Sequence, residues 1–151
     1  MHPVNPSSRT AILAPGFQGT RTARVFPNGW DESAARFQPQ SIAAPVEELR
    51  RLAQQSIQLE HSVIALTYEE ESGLSVADRE LFWRAFGVPV FEQYVDRKCR
   101  LLATECEAHA GLHVVSGCDE FRLERETCAC GDRSPRLSRG PRVEELVELL
   151  A

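Results

Sequence analysis

Ser62-Val63-Ile64-Ala65-Leu66, then Ser75-Val76-Ala77-Asp78, then Phe86-Gly87-Val88-Pro89-Val90-Phe91-Glu92-Gln93-Tyr94 is the stretch whose pattern decides the fold. The first run is continuously apolar and short, which reads as a buried strand. Ser75 with Asp78 three positions on approximates a helix-start capping signature, so a helix is expected to run to Phe86. Gly87 marks its end and Pro89 follows. Val88–Tyr94 is then a second strand. Together with a helix upstream, the order helix, strand, helix, strand predicts an α/β layer with parallel strands.

The upstream helix is expected over 45–59. Pro45 suits a first turn, Glu47 and Glu48 complement the positive end of the helix dipole, and Val46, Leu49, Leu52 and Ala53 form an apolar stripe. Further back, Thr10–Ala14 reads as a strand that enters a loop at Pro15-Gly16. Residues 15–41 read as loop with a short helix at Asp31–Phe37. Residues 1–10 are rich in Pro, Ser and Asn and read as a flexible tail. Downstream the texture changes. Leu101–Glu105 and Leu112–Val115 read as short strands around a turn at 107–111. Phe121–Glu126 alternates apolar and charged residues like an antiparallel strand with one wet face. Residues 131–142 read as a polar connection, and Val143, Leu146, Val147 and Leu150 as a C-terminal helix over 141–151. The expected organisation is a tail at 1–10, a single α/β domain at 11–140 and a terminal helix.

Several function classes are disfavoured by composition. Lys+Arg total 17 against 22 Asp+Glu, a net charge of −5 with no basic block, so neither nucleic acid nor an anionic membrane is the expected partner. No stretch approaches the roughly 20 apolar residues that span a bilayer. The start, Met1-His2-Pro3-Val4-Asn5-Pro6, lacks a signal pattern, so the expected location is cytoplasmic. Lys98 is the only lysine, so chemistry that needs a mobile lysine has one candidate.

The five cysteines, Cys99, Cys106, Cys118, Cys128 and Cys130, all fall after residue 98. An odd count without a signal peptide argues against a disulfide framework and for a metal. The candidate ligands are Cys106, His113, Cys128 and Cys130. Thiolates and an imidazole suit zinc, and ligands on two tight turns converge on one point at little entropic cost. Gly131 gives the Cys-x-Cys knuckle its backbone freedom. His109 competes with His113, because Cys106-x-x-His109 is a common chelate spacing, whereas His113 sits on a strand between Leu112 and Val114. Cys99 and Cys118 read as ordinary thiols. Four protein ligands leave no open coordination position, so the expected cofactor is a structural zinc within a β subregion at 99–131.

The stretches Phe86–Tyr94, Glu105–Val114 and Cys128-Ala129-Cys130-Gly131-Asp132-Arg133-Ser134-Pro135-Arg136-Leu137 together resemble the phenylacetate–coenzyme A ligase family of adenylate-forming enzymes. Its motifs "fGvpvf-x-x-YG-x-x-E", "C…GLHv" and "C-x-CGR-x-x-PR" occur there in the same order. A fainter likeness joins Gly16-Phe17-Gln18-Gly19-Thr20-Arg21-Thr22 to the family's phosphate loop. The resemblance implies an α/β fold, a metal held through His113, and Gly16, Gly19 and Tyr94 as weak candidates for the nucleotide or substrate side. It implies ATP-dependent activation of a carboxylate and thioester formation with coenzyme A.

The departures point the other way. The Tyr-Gly-x-x-Glu pattern reads Tyr94-Val95-Asp96-Arg97-Lys98, which reverses the charge of the acid that assists magnesium. Fourteen residues separate His113 from Cys128, too few for the segment with the ribose-binding aspartate. No mobile domain with a lysine follows residue 137, and the chain is about a third of the length such a two-domain enzyme needs. The expectation is therefore a non-catalytic zinc-binding accessory or interaction protein, docking a protein partner or a second copy through its terminal helix or former substrate face. The alternatives are a subunit of an active carboxylate–CoA ligase, or a regulator that senses redox or zinc through its thiolates. The acidic run Glu69–Glu71 and the spaced Arg133, Arg136, Arg139 and Arg142 read as solvated surface. Trp30 and Trp83 read as core or interface anchors.

Overall fold

The structure is a computed structural model that describes residues 9–68, 73–109, 111–115, 123–124 and 127–137. The acidic run, Cys118, the stretch 141–151 expected to be helical and residues 1–8 lie outside the described residues.

The elements in chain order are β1 (Thr10–Ile12), β2 (Ala23–Val25), α1 (Glu32–Phe37), β3 (Ser41–Pro45), α2 (Val46–Leu52), β4 (Ser62–Tyr68), α3 (Val76–Phe86), β5 (Val90–Val95), β6 (Leu101–Glu105), β7 (Leu112–Val114), β8 (Leu123–Glu124) and β9 (Arg136–Leu137). All strands belong to one mixed sheet in the order β2-β1-β3-β4-β5-β6-β7-β9-β8. Pairings from β2 through β5 are parallel, and those from β5 to β8 are antiparallel. The sheet therefore has two halves with different architecture, as the change of texture after Tyr94 suggests. Among the described residues no helix is long and apolar enough to cross a membrane.

The parallel half carries the larger core. Leu49 and Leu52 of α2, Phe82 and Phe86 of α3 and Ala34 of α1 pack with Ile42, Val63 and Ala65 of the central strands. All three helices thus lie on one face of the sheet. The opposite face holds a smaller cluster of Ala14, Ala43, Ile64 and Leu66, with Ile12 and Phe17 packed on it. Helix α3 starts and stops where the sequence indicates. The Ser75 hydroxyl accepts the Asp78 amide at 3.1 Å, and Gly87 closes the helix with φ +68°. Arg50 of α2 ties the helix pair together through both Asp78 oxygens, at 2.9 and 2.7 Å. Ser75→Ala is expected to cost about 1 kcal/mol. For a chain of this size that lowers Tm by about 2–4 °C in a thermal melt.

Three expectations are corrected. The helix expected over 45–59 is α2 alone; past Leu52 the chain turns, and Leu59 returns to the core. Residues 15–41 contain β2, and Ser41–Pro45 is a strand, so Pro45, expected in a first helical turn, ends that strand just before α2. That strand is buried and poor in β-branched residues, and it is held by partners the sequence does not display. Its Ser41 hydroxyl meets that of Ser62 on β4 at 3.0 Å. The expected polar connection at 131–142 contains β9, and Arg136 is buried there instead of belonging to a solvated strip. Of the strand expected at Phe121–Glu126, the described part is Leu123–Glu124. Trp30 packs on the main core, whereas Trp83 is 55% exposed.

Candidate metal centre

The antiparallel half has few large side chains to bury. Tyr94, Leu102, Ala103, Leu112 and Leu137 form its cluster, with Val114 packed against them. At the edge of this cluster four ligand atoms converge. The sulfurs of Cys106, Cys128 and Cys130 and a ring nitrogen of His113 all lie within 4.8 Å of one another. Cys106, His113 and Cys128 are buried, and Cys130 is half-buried.

Each ligand is aimed by a local device. Cys106 directly follows β6, and the turn it opens closes when the His109 amide donates to the Cys106 carbonyl at 3.0 Å. His113 projects from the middle of β7, where it pairs with Thr104 on one side and Arg136 on the other. Cys128 and Cys130 flank a tight turn in which the Gly131 amide reaches the Cys128 carbonyl at 2.8 Å. Gly131 has φ +93°, a conformation that L side chains rarely adopt. Gly111, φ +94°, lets the first turn pass close to β9: a Cβ there would stand 3.2 Å from the Leu137 carbonyl oxygen.

The spacing suits one tetrahedral ion. Metal–sulfur and metal–nitrogen bonds of about 2.3 and 2.0 Å place neighbouring ligand atoms about 3.5–3.8 Å apart. Three of the six ligand pairs stand near these values, at 3.6 Å for Cys106–Cys128, 3.4 Å for His113–Cys106 and 3.5 Å for Cys130–His113, and the other three lie within 4.8 Å. Supporting contacts orient the ligands. His113 uses Nε2 toward the sulfurs, while its Nδ1 stands 2.9 Å from the Ser134 hydroxyl and 3.6 Å from Asp132. The Ser134 amide donates to Asp132 and holds that carboxyl below the ordinary range. The Ala108 amide faces the Cys106 sulfur at 3.4 Å.

The thiols are electrostatically unequal. Burial pushes the Cys106 thiol up to about 12, whereas the Cys130 amide draws the Cys128 thiol below its ordinary value. Arg136, buried close by, adds to that lowering. A bound cation would ionise all three, because a coordinating thiol gives up its proton. The cluster can therefore hold a metal ion.

The other candidates stand elsewhere. His109 lies at a left-handed position, φ +50°, and its ring stacks on Phe91 at 5.1 Å between centroids. Its Nδ1 faces Glu105 at 3.4 Å. Tyr94 is 1% exposed and belongs to the antiparallel core. Gly16 packs against Cys99, whose thiol donates to the Pro15 carbonyl, and Gly19 opens a turn closed by Thr20 and Ala23. A polar cluster of Arg79, Glu92 and Glu105 stands beside the metal ligands and was not anticipated from the sequence. A charged residue inside the apolar run Val90-Phe91-Glu92 was the available signal.

No family model matches the chain, and no curated protein matches it. A solved structure does resemble it: an open conformation of 2-hydroxyisobutyryl-CoA ligase in complex with 2-HIB-AMP and CoA, with TM-score 0.64 and 12% identity. The likeness covers 90% of this chain and 45% of that one, so this chain spans less than half the length of the ligase. At that identity the likeness carries the fold alone. The chain has a mixed α/β architecture resembling part of an adenylate-forming enzyme, with a Cys3His cluster at its antiparallel end.

Proposed function

We propose that this chain is a non-catalytic, zinc-binding accessory or interaction protein built on part of an adenylate-forming fold. The observation that carries the reading is the closed ligand set, Cys106, His113, Cys128 and Cys130, spaced for one tetrahedral ion. Three thiolates with one imidazole suit zinc better than harder cations. Such a centre carries one excess negative charge, and buried Arg136 supplies a counter-charge. With every position filled by protein, the ion has a folding role, in the half of the sheet with the smaller core.

The turn after β5 supports the non-catalytic part. Asp96 accepts the Lys98 amide, the Arg100 amide and Arg100 Nε, at 2.9, 2.9 and 2.8 Å. Its carboxylate is occupied in closing its own turn, and backbone donation from Arg100 holds it below the ordinary range. The interaction part is supported by α3, which exposes Val76 at 81% and Trp83 at 55% on one helical face. A protein partner, or a second copy of the chain, suits such residues.

Pyrophosphate release from ATP, assayed with aryl and acyl acids and coenzyme A, is expected to stay at the rate without protein. Native mass spectrometry is expected to find the chain in a larger assembly that Val76→Glu weakens. Turnover of any acid above background contradicts the non-catalytic reading, and a lone chain contradicts the interaction reading.

A further inference from the structure

Leu137 is the last described residue of the chain, and it lines a cavity of about 630 Å³ that opens between α3 and the start of β7. An engineered apolar cavity of about 150 Å³ holds a benzene molecule, so this one has room for several side chains. Its walls are mostly apolar, with Leu74 and Trp83 on the α3 side, Val90 from β5 and Leu112 from β7. The charged groups at its floor are engaged with one another. Arg79 donates to both Glu105 oxygens at 2.9 Å, and the Thr67 hydroxyl donates to Glu92 at 2.7 Å. Recognition by this cavity therefore falls to its apolar wall. Trp83 stands 55% exposed on that wall, a large aromatic surface left uncovered.

Residues 138–151 follow Leu137 directly. Val143, Leu146, Val147 and Leu150 recur at helical spacing, and Glu144, Glu145 and Glu148 fall on the other side of the same helical wheel. An isolated helix of this length is marginal in water, so the stripe needs an apolar surface to form against. The link 138–142 reaches about 17 Å at full extension, which keeps the start of the stripe close to Leu137. A short tether of this kind raises the effective concentration of the segment at the cavity to the millimolar range, which favours capture within the chain over capture by a separate one.

We propose that residues 143–150 fold as a helix whose apolar stripe seats in this cavity within the same chain and covers Trp83. Val76 stands outside the cavity and stays open to a protein partner, so the inference goes beyond the interaction reading and does not rest on it.

The test reads tryptophan emission from the full-length chain carrying Trp30→Phe, in which Trp83 is the only tryptophan. Circular dichroism checks the fold of each variant. Trp83 is expected to emit to the blue of free tryptophan, with no change on dilution. A chain cut after Gly140 is expected to shift that emission to the red and to expose it to acrylamide. Leu146→Asp in the uncut chain is expected to do the same, whereas Glu145→Gln, on the polar side, and Val76→Glu, outside the cavity, leave it in place. If the cut chain does not fold, Leu146→Asp against Glu145→Gln decides. If Trp30→Phe does not fold, the same comparisons are made on the natural chain, where Trp30 adds a constant background. Emission that neither the cut nor Leu146→Asp moves overturns the proposal. A red shift on dilution places a second copy over Trp83, and a red shift in Val76→Glu places a partner there; either overturns it.

Discussion

Cys128→Ser is expected to strip the chain of its metal and to unfold its antiparallel half. Cys128 is buried, and its sulfur stands 3.6 Å from that of Cys106 at the centre of the cluster. Serine cannot replace a thiolate toward a soft-ligand ion, and the three ligands left would have to recruit water in a buried place. Removal of the ion leaves β6, β7 and β9 with the small cluster around Tyr94, Leu112 and Leu137. Structural zinc contributes folding energy outright, about 10–16 kcal/mol in isolated zinc-finger peptides. Here a larger core remains, so the expected loss is above about 4 kcal/mol, in the class of metal-loss mutations. Hydrogen exchange is expected to localise it. The amides of Leu112 and Val114 should lose protection while those of Val63 and Ala65 keep theirs. A chelator on the natural chain should reproduce the pattern.

Arg79→Met is expected to destabilise the protein by about 2–4 kcal/mol. The variant keeps an unbranched, flexible stem but leaves Glu92 and Glu105 facing each other without the guanidinium between them. Removing one partner of a buried ion pair costs about 3–5 kcal/mol. Arg79 is 29% exposed, so solvent lightens that penalty. Adding Glu92→Gln should recover about 1 kcal/mol or more by removing the repulsion, a coupling that a double-mutant cycle in urea isolates. A cost within about 0.5 kcal/mol would place this cluster among ordinary surface pairs.

The parallel half was legible because local and global signals agree there. Val63–Leu66 is apolar enough to name a buried strand, Ser75 caps and Gly87 ends the helix as written. Ser41-Ile42-Ala43-Ala44-Pro45 was not legible, since its strand character comes from neighbours on both sides. Arg136 misled for a related reason: a charge reads as surface until a cluster of thiols accounts for its burial. The candidate ligands themselves were readable from residue types and spacing. The histidine was not decided by spacing. Cys106-x-x-His109 fits a chelate on paper, but the left-handed backbone at His109 turns its ring onto Phe91. The strand through Leu112 and Val114 instead aims His113 at the three sulfurs. Glu92 stood out within its apolar run, but its meeting with Glu105 was not legible, because sheet register brings the two together.

The most direct test is elemental analysis of the full chain purified without added metal, alongside its circular dichroism. One zinc ion per folded chain is expected, held by Cys106, His113, Cys128 and Cys130 and lost in Cys128→Ser. A folded chain without metal, with the four side chains packed as ordinary core, would contradict it.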